Sequence, residues 1–336
     1  MTWHQYVAAG KGGPEALTWQ PVTEREIGER ELGVRVEAAG VLLADVLWQL
    51  GITPVGPKHP FTPGYDLVGV VEAAGAAVTE FAVGQRVAAL VQYGGYTEYA
   101  YVPVEQAVAV PAGLEPVQAA AATTSYLAAY SLVQRQVGLQ PGQAALIHGA
   151  GGGTGLALVE MALRAGARVY GTASKDKHAL VTAKGGFPID YQREDFVDVI
   201  QSRKSSGVRM VVDPIGGDVT PRSLGLLGDG GQLISIAMIQ AIQQRSSLPA
   251  VMLALLRLPV WSLLHPGKKA YMWDVVEDAR QDPGRYRQEL GTVFQMIASG
   301  ELTPVVGQVM PLRQAPEAQL LLLDYAVTGR LILVND

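Results

Sequence analysis

Short valine-rich runs broken by glycine and proline fill the first 122 residues, among them GVRVEAAGV, DLVGVVEAAG, GQRVAALV and YTEYAYVP. Apolar runs with this punctuation predict a compact, mostly β unit. From Ala119 the pattern lengthens. AAAATTSYLAAYSLVQRQVGL has helical spacing and stops at Pro141-Gly142. QAALIHG then reads as a buried strand, followed by a glycine-rich turn and the helix LALVEMALRAG. ARVYGTAS reads as a strand, HALVTAKGG as a helix, and MVVDPIGG and GGQLISIAM as further strands. This alternation predicts an α/β unit, a doubly wound parallel sheet wrapped by helices. Beyond Met238 the chain reads as helical to about Gly300, and the tail from Pro304 returns to strand, helix, strand.

At 336 residues the chain exceeds what one core usually organises, so two domains are expected. It is 49% hydrophobic and 17% charged, a globular composition. A net charge of -5 with scattered Lys and Arg gives no footprint for nucleic acid. Cysteine is absent, which removes disulfides and cysteine-based zinc sites together. The histidines, His4, His59, His148, His178 and His265, lie too far apart to form a metal pair on one helix, so no metal is expected.

The amino terminus has neither an apolar run nor a basic leader, and the expected location is cytoplasmic. The most apolar stretch, Leu248 to Leu264, contains Pro249, Arg257 and Pro259. It falls short of the roughly 20 apolar residues that span a bilayer. It reads instead as a buried or lid-forming helix, and its prolines and missing basic face argue against a membrane-surface helix.

The candidate chemistry sits at Ile147-His148-Gly149-Ala150-Gly151-Gly152-Gly153-Thr154-Gly155, between a strand and an apolar helix. Glycines let the backbone turn sharply and approach a pyrophosphate, and the helix start favours its negative charge. Ala150, Gly152, Gly153, Thr154 and Gly155 are therefore candidate dinucleotide-binding residues. A carboxylate ending the next strand would select a ribose diol. This strand instead ends Gly171-Thr172-Ala173-Ser174, followed by Lys175, Asp176 and Lys177. Hydroxyls and lysines suit a 2′-phosphate, so NADPH is expected over NADH, with Asp176 pointing away.

Several motifs in order resemble the medium-chain dehydrogenase/reductase superfamily, and within it the zinc-free quinone oxidoreductase branch. They are Pro63-Gly64-Tyr65-Asp66-Leu67-Val68-Gly69-Val70-Val71, Gly84-Gln85-Arg86-Val87, Gly94-Gly95-Tyr96-Thr97-Glu98-Tyr99, the run from Ala150 to Gly155, and Gly329-Arg330-Leu331-Ile332-Leu333. The resemblance implies a β-rich GroES-like catalytic domain, residues 1–122 and 301–336, and a Rossmann domain, residues 123–300. By correspondence Lys177 and Tyr191, helped by Ser174, fall where the family binds the adenosine 2′-phosphate. The region from Leu253 to Met272 is similar to that of synaptic-vesicle-membrane-protein-like oxidoreductases, where it lies along the substrate cleft. Tyr271 and Trp273 become pocket candidates on that basis.

The resemblance further implies zinc-independent hydride transfer from NADPH to a quinone or an activated C=C bond of a small hydrophobic substrate. The protein would position the reactants and offer donors to the substrate oxygen. Tyr65, Tyr93 and Tyr126 are the side-chain candidates. Leu42 stands where the family has Asn, Thr53 where many members have Tyr, and Ala128 where Thr is frequent. Leu cannot hydrogen-bond. These three changes define a retuned pocket, or alternatively a reductase fold repurposed for a non-redox cyclisation or isomerisation with NADPH structural or absent. Relatives commonly form homodimers through Rossmann edge strands, and GGQLISIAM is the expected edge.

Overall fold

The computed structural model describes residues 2–53, 56–203, 207–240, 244, 246 and 248–335. The chain divides into two compact units, one comprising Met1–Gly51, Val55–Leu127 and Val275–Asp336, the other Ile52–Pro54 and Ala128–Asp274.

In the first unit the valine-rich runs form a seven-stranded sheet. Its order is Val306–Pro311, Arg330–Val334, Glu31–Gly40, Asp66–Ala74, Arg86–Leu90 and Ala107–Ala109, with Tyr99–Pro103 paired to the first half of Glu31–Gly40. Pairing is antiparallel except between the first two strands, both from the tail of the chain. Leu32, Val34 and Val36 alternate along one strand and share a core with Leu67, Val71 and Val87. The two segments of this unit that are distant in sequence are tied at Asp66. Its carboxylate accepts from the Gly40 N–H at 2.8 Å, from Arg330 Nη2 at 2.8 Å and from the Thr124 hydroxyl.

The second unit is a six-stranded parallel sheet. Its order is Phe187–Asp190, Arg168–Ala173, Ala144–His148, Val208–Asp213, Leu227–Ser235 and Lys269–Met272. Counted within the unit, that order is 3-2-1-4-5-6. Ala144–His148 is buried along its whole length, which is why it reads as an unbroken apolar run and not as an alternating one. Successive strands are linked by helices such as Gly153–Arg164, His178–Ala183 and Val219–Leu224.

Three expectations change. The helix Pro283–Ala298 belongs to the β-rich unit, so the second boundary falls before Val275 and not at 300. Tyr286 explains this: its buried hydroxyl accepts from the Leu90 N–H and donates to the Gln106 carbonyl, both in the β-rich unit. Leu227–Ser235, expected at the sheet edge, is an inner strand, and Lys269–Met272 is the edge. Finally, of the two readings of Leu248–Leu264, buried or lid-forming, the buried one does not hold. Only Val251 and Leu258 are enclosed, while Leu256 is 58% and Leu263 81% exposed.

Candidate functional site

Ligands of open α/β sheets bind beyond the carboxyl ends of the strands, where the strand order reverses. Here that point lies between Ala144–His148 and Val208–Asp213, and the glycine loop leaves the first of these strands. Gly149 turns the chain with φ of +68°, a conformation L side chains rarely adopt. The Ala150 N–H then binds the Thr172 carbonyl at 2.9 Å and the Gly152 N–H binds the Gly149 carbonyl at 3.0 Å, which locks the loop. A β-carbon on Gly155 would collide with the Gly149 carbonyl oxygen, so that glycine sets how closely helix and strand pack. No side chain caps the helix Gly153–Arg164 at its Gly152 end. A helix start of this kind is where an anion is favoured, because its dipole and first-turn N–H groups complement negative charge.

Lys177 lies across this loop. A β-carbon on Gly151 would stand 2.7 Å from both Cβ and Cδ of Lys177. The lysine is buried to 8% exposure, and that desolvation lowers its pKa, with Asp176 opposing. The loop and the lysine expected for phosphate are thus one packed unit. Gly151 was not singled out by sequence, because its role depends on a side chain 26 positions away. The signal that points to it is only that it belongs to an unbroken glycine run.

Ser174 starts the short 3-10 turn Lys175–Lys177 and its carbonyl accepts the Lys177 N–H at 3.0 Å. The Ser174 hydroxyl also donates to Asp176, and that bond is the main cause of the lowered Asp176 pKa. Asp176 therefore does not point away, as expected, but sits beside a residue expected to bind phosphate. Tyr191 is 55% exposed in the turn after Phe187–Asp190, the strand paired with Arg168–Ala173. Asp190 is occupied locally, accepting from the Gln192 N–H.

Under the loop, His148 is buried and joined to its neighbours at both ring nitrogens. Nδ1 meets the Thr172 hydroxyl at 3.0 Å and Nε2 the Ser223 hydroxyl at 2.9 Å. Ser223 donates its proton to the Val219 carbonyl, which makes Nε2–H the donor and Nδ1 the acceptor from Thr172. Burial holds the imidazole neutral, with its pKa lowered to about 4. His148 thus braces the strand end from which the loop departs.

The expected substrate-side residues divide between the units. In the β-rich unit, Leu42 precedes the helix Leu43–Leu50, and its N–H donates to Asp45 Oδ2 at 3.0 Å. Its half-buried side chain offers no polar group. Tyr65 is buried and stacked on Trp48 with ring centroids 5.0 Å apart. Tyr126 is buried, whereas Tyr93 is 45% exposed. In the parallel-sheet unit, Thr53 is half-buried and Ala128 buried. The Tyr271 hydroxyl donates to Gln232 Oε1 at 3.1 Å along the edge strand. The buried Trp273 binds the Ser235 carbonyl through its backbone N–H, and its indole N–H has no partner among the described residues.

A dinucleotide-type glycine loop on a 3-2-1-4-5-6 sheet, in a chain that also carries a β-rich unit, defines a Rossmann and GroES-like oxidoreductase fold. Residues 28–112 match the alcohol dehydrogenase GroES-like domain, and residues 186–333 the zinc-binding dehydrogenase family. The chain belongs to the medium-chain dehydrogenase/reductase superfamily, in its quinone oxidoreductase branch. It is 34% identical to the human synaptic vesicle membrane protein VAT-1 homolog over 69% of this chain and 60% of that one. The match therefore spans less than two thirds of the human protein's length. A quinone oxidoreductase from Pseudomonas syringae has the same fold, with a TM-score of 0.86, 26% identity, and coverage of 99% and 100%. A mycobacterial protein solved with NADPH superposes with a TM-score of 0.85 at 26% identity, covering 99% of each chain. Among the described residues no group of three His, Asp or Glu side chains could hold a metal ion, and no helix is long and apolar enough to cross a membrane.

Proposed function

We propose that the chain is an NADPH-dependent, zinc-independent reductase of a quinone or an activated C=C bond. The observation that carries this reading is Lys177 packed against Gly151, which presents a desolvated ammonium group at a glycine loop shaped for phosphate. NADPH in the mycobacterial neighbour and quinone chemistry in the Pseudomonas one support it. The bound cofactor would supply a hydride. Gly152, Gly153 and Thr154 would hold the pyrophosphate at the helix start, with Ala150 and Gly155 setting the loop's shape. Lys177, Ser174 and Tyr191 would hold the 2′-phosphate.

On the substrate side, Leu42 leaves an apolar surface that suits a hydrophobic acceptor. Of the three tyrosine candidates Tyr93 is exposed, while Tyr65 and Tyr126 are enclosed. We also propose that a second copy pairs along the free edge of Lys269–Met272, and that the protein works in the cytoplasm.

The test is cofactor binding followed by single-turnover oxidation. NADPH should bind more tightly than NADH, and its absorbance should fall when quinones or enones are added. Binding without oxidation by any acceptor would reject the reductase and favour the non-redox alternative, for which the apolar Leu42 is the motivating residue. Failure to bind NADPH would reject both the cofactor assignment and the reductase.

A further inference from the structure

Two buried side-chain atoms of the parallel-sheet unit, Trp273 Nε1 and Gln240 Oε1, have no hydrogen-bond partner among the described residues. Both follow strands at their carboxyl ends, Trp273 directly after Lys269–Met272 and Gln240 shortly after Leu227–Ser235. The glycine loop leaves its own strand at this same end of the sheet, where open α/β sheets take their ligands. Gln240 Oε1 is turned onto Gly217, into the space a β-carbon there would fill, and it can only accept. The indole N–H is the one unused donor of the pair.

Trp273 is firmly held. Its backbone N–H donates to the Ser235 carbonyl at 2.9 Å, and the Ser235 hydroxyl in turn donates to the Ala237 carbonyl at 3.2 Å. The residue is 8% exposed. Tyr271, two positions earlier, differs in that its hydroxyl already donates to Gln232 Oε1. Folded chains pair nearly all their buried donors, so a stranded one calls for a reason. Packing alone does not supply it, because phenylalanine would bring a similar apolar surface with no N–H to satisfy. An accepting atom on a ligand would. Leu42 and Ala128, two positions expected to face the substrate, carry no side-chain donor that could take this part.

We propose that the Trp273 indole N–H donates a hydrogen bond to the carbonyl oxygen of the acceptor and stabilises the negative charge that gathers there. This rests on the reductase reading. In an enone, hydride forms the new C–H bond at the β-carbon and the C=C pair shifts toward the carbonyl. The oxygen becomes an enolate anion, and NADPH is converted to NADP+. Water then protonates the α-carbon, leaving hydroxide. The indole keeps its proton throughout. A fixed, buried donor of this kind acts most strongly once the oxygen has gained its charge.

Single-turnover oxidation of NADPH by cyclohexenone, naphthoquinone and phenanthrenequinone, in wild type and Trp273→Phe, tests this. Trp273→Phe should bind NADPH as wild type does and lose roughly 100-fold in the rate of hydride transfer, the loss expected when one such donor is removed. Trp273→His, which keeps a ring N–H, should recover part of that loss. A second measurement follows the indole N–H resonance of Trp273 in wild-type protein, first with NADP+ alone and then with NADP+ and the most reactive of the three acceptors. NADP+ carries no hydride to transfer, so that complex persists. The proton should move downfield only when the acceptor is added. An unchanged rate in Trp273→Phe, or a resonance that ignores the acceptor, would overturn the proposal. A full shift with NADP+ alone would do so too, because the donor would then serve the cofactor. Should Trp273→Phe fail to fold, the resonance decides. If none of the acceptors oxidises NADPH in wild-type protein, the reductase reading itself falls and this donor role falls with it.

Discussion

Lys177 and Gly151 are in van der Waals register: the lysine stem occupies the space that a side chain on the glycine would need, 2.7 Å from where its β-carbon would stand. A residue that distinguishes cofactors is thereby built into the loop that binds what all dinucleotides share. A 2′-phosphate reaching Lys177 would meet an ammonium group that burial has already stripped of much of its water.

Lys177→Ala should weaken NADPH binding roughly 10- to 100-fold, the loss expected for one charge-assisted hydrogen bond of about 1.5–3 kcal/mol. NADH should be little affected. Gly151→Ala should weaken both cofactors, because the new methyl displaces the lysine and distorts the loop together. Titration of each variant with both cofactors, followed by fluorescence, checks the contrast. Equal losses for NADPH and NADH in Lys177→Ala would remove the lysine from phosphate recognition.

Asp176 shares the Ser174 hydroxyl, so a carboxylate stands beside the proposed phosphate ligands. Asp176→Asn removes that charge, while its amide oxygen can still accept from the Ser174 hydroxyl. The ratio of NADPH to NADH affinity should rise several-fold, and the gain should shrink at high salt because the site is open to solvent. An unchanged ratio would mean that Asp176 faces no cofactor charge.

The parts of the fold set by local rules were legible in the sequence. Strands bounded by Gly and Pro, and a glycine run between an apolar strand and a helix, declare themselves because each depends on neighbouring residues. Lys177 was readable as a cation near the second strand, but its burial across Gly151 depends on tertiary packing. Asp176 was misread for the same reason, since whether it faces Ser174 is a matter of the turn's geometry. Leu248–Leu264 shows the limit of hydrophobic pattern. A helix apolar on all sides normally reads as buried, and nothing in its own spacing states that only one side has a partner.

The two units should respond to acid in opposite directions. His148 has a pKa lowered to about 4 by burial, against about 6.5 in an unfolded chain. Between those values the unfolded state binds the extra proton, so the parallel-sheet unit is fully stabilised above pH about 6.5 and weakens as pH falls. Asp45 is the reverse. Burial raises its carboxyl to about 7, although the Leu42 and Gly64 N–H groups and the Tyr96 hydroxyl all donate to it. The folded β-rich unit holds that proton more tightly than the unfolded chain, so this contribution is complete below pH about 4 and is lost as pH rises through 7. Hydrogen exchange followed from pH 4 to 7, corrected for intrinsic rates, should show slow-exchanging amides gaining protection with pH around His148 and losing it around Asp45. His148→Gln and Asp45→Asn should each flatten the slope in their own unit alone.

The Asp66–Arg330 pair should be among the most sensitive points of the β-rich unit. Both side chains are almost wholly enclosed, their contact is 2.8 Å, and Arg330 Nη1 is also used by the Val41 carbonyl at 3.2 Å. Removing one partner leaves a buried charge without its counter-ion, a loss of about 3–5 kcal/mol. Arg330→Met should therefore destabilise strongly, and Asp66→Asn likewise, whereas the double variant should recover part of the loss because neither charge remains. Gly40→Ala should mimic the single variants without touching either charge, since a β-carbon there would collide with Arg330 Nη2 and stand 2.5 Å from Asp66 Oδ1. Urea unfolding of the four variants measures this. If the double variant loses the sum of the two single losses, the residues act independently and the pair does not hold the tail strand to the sheet.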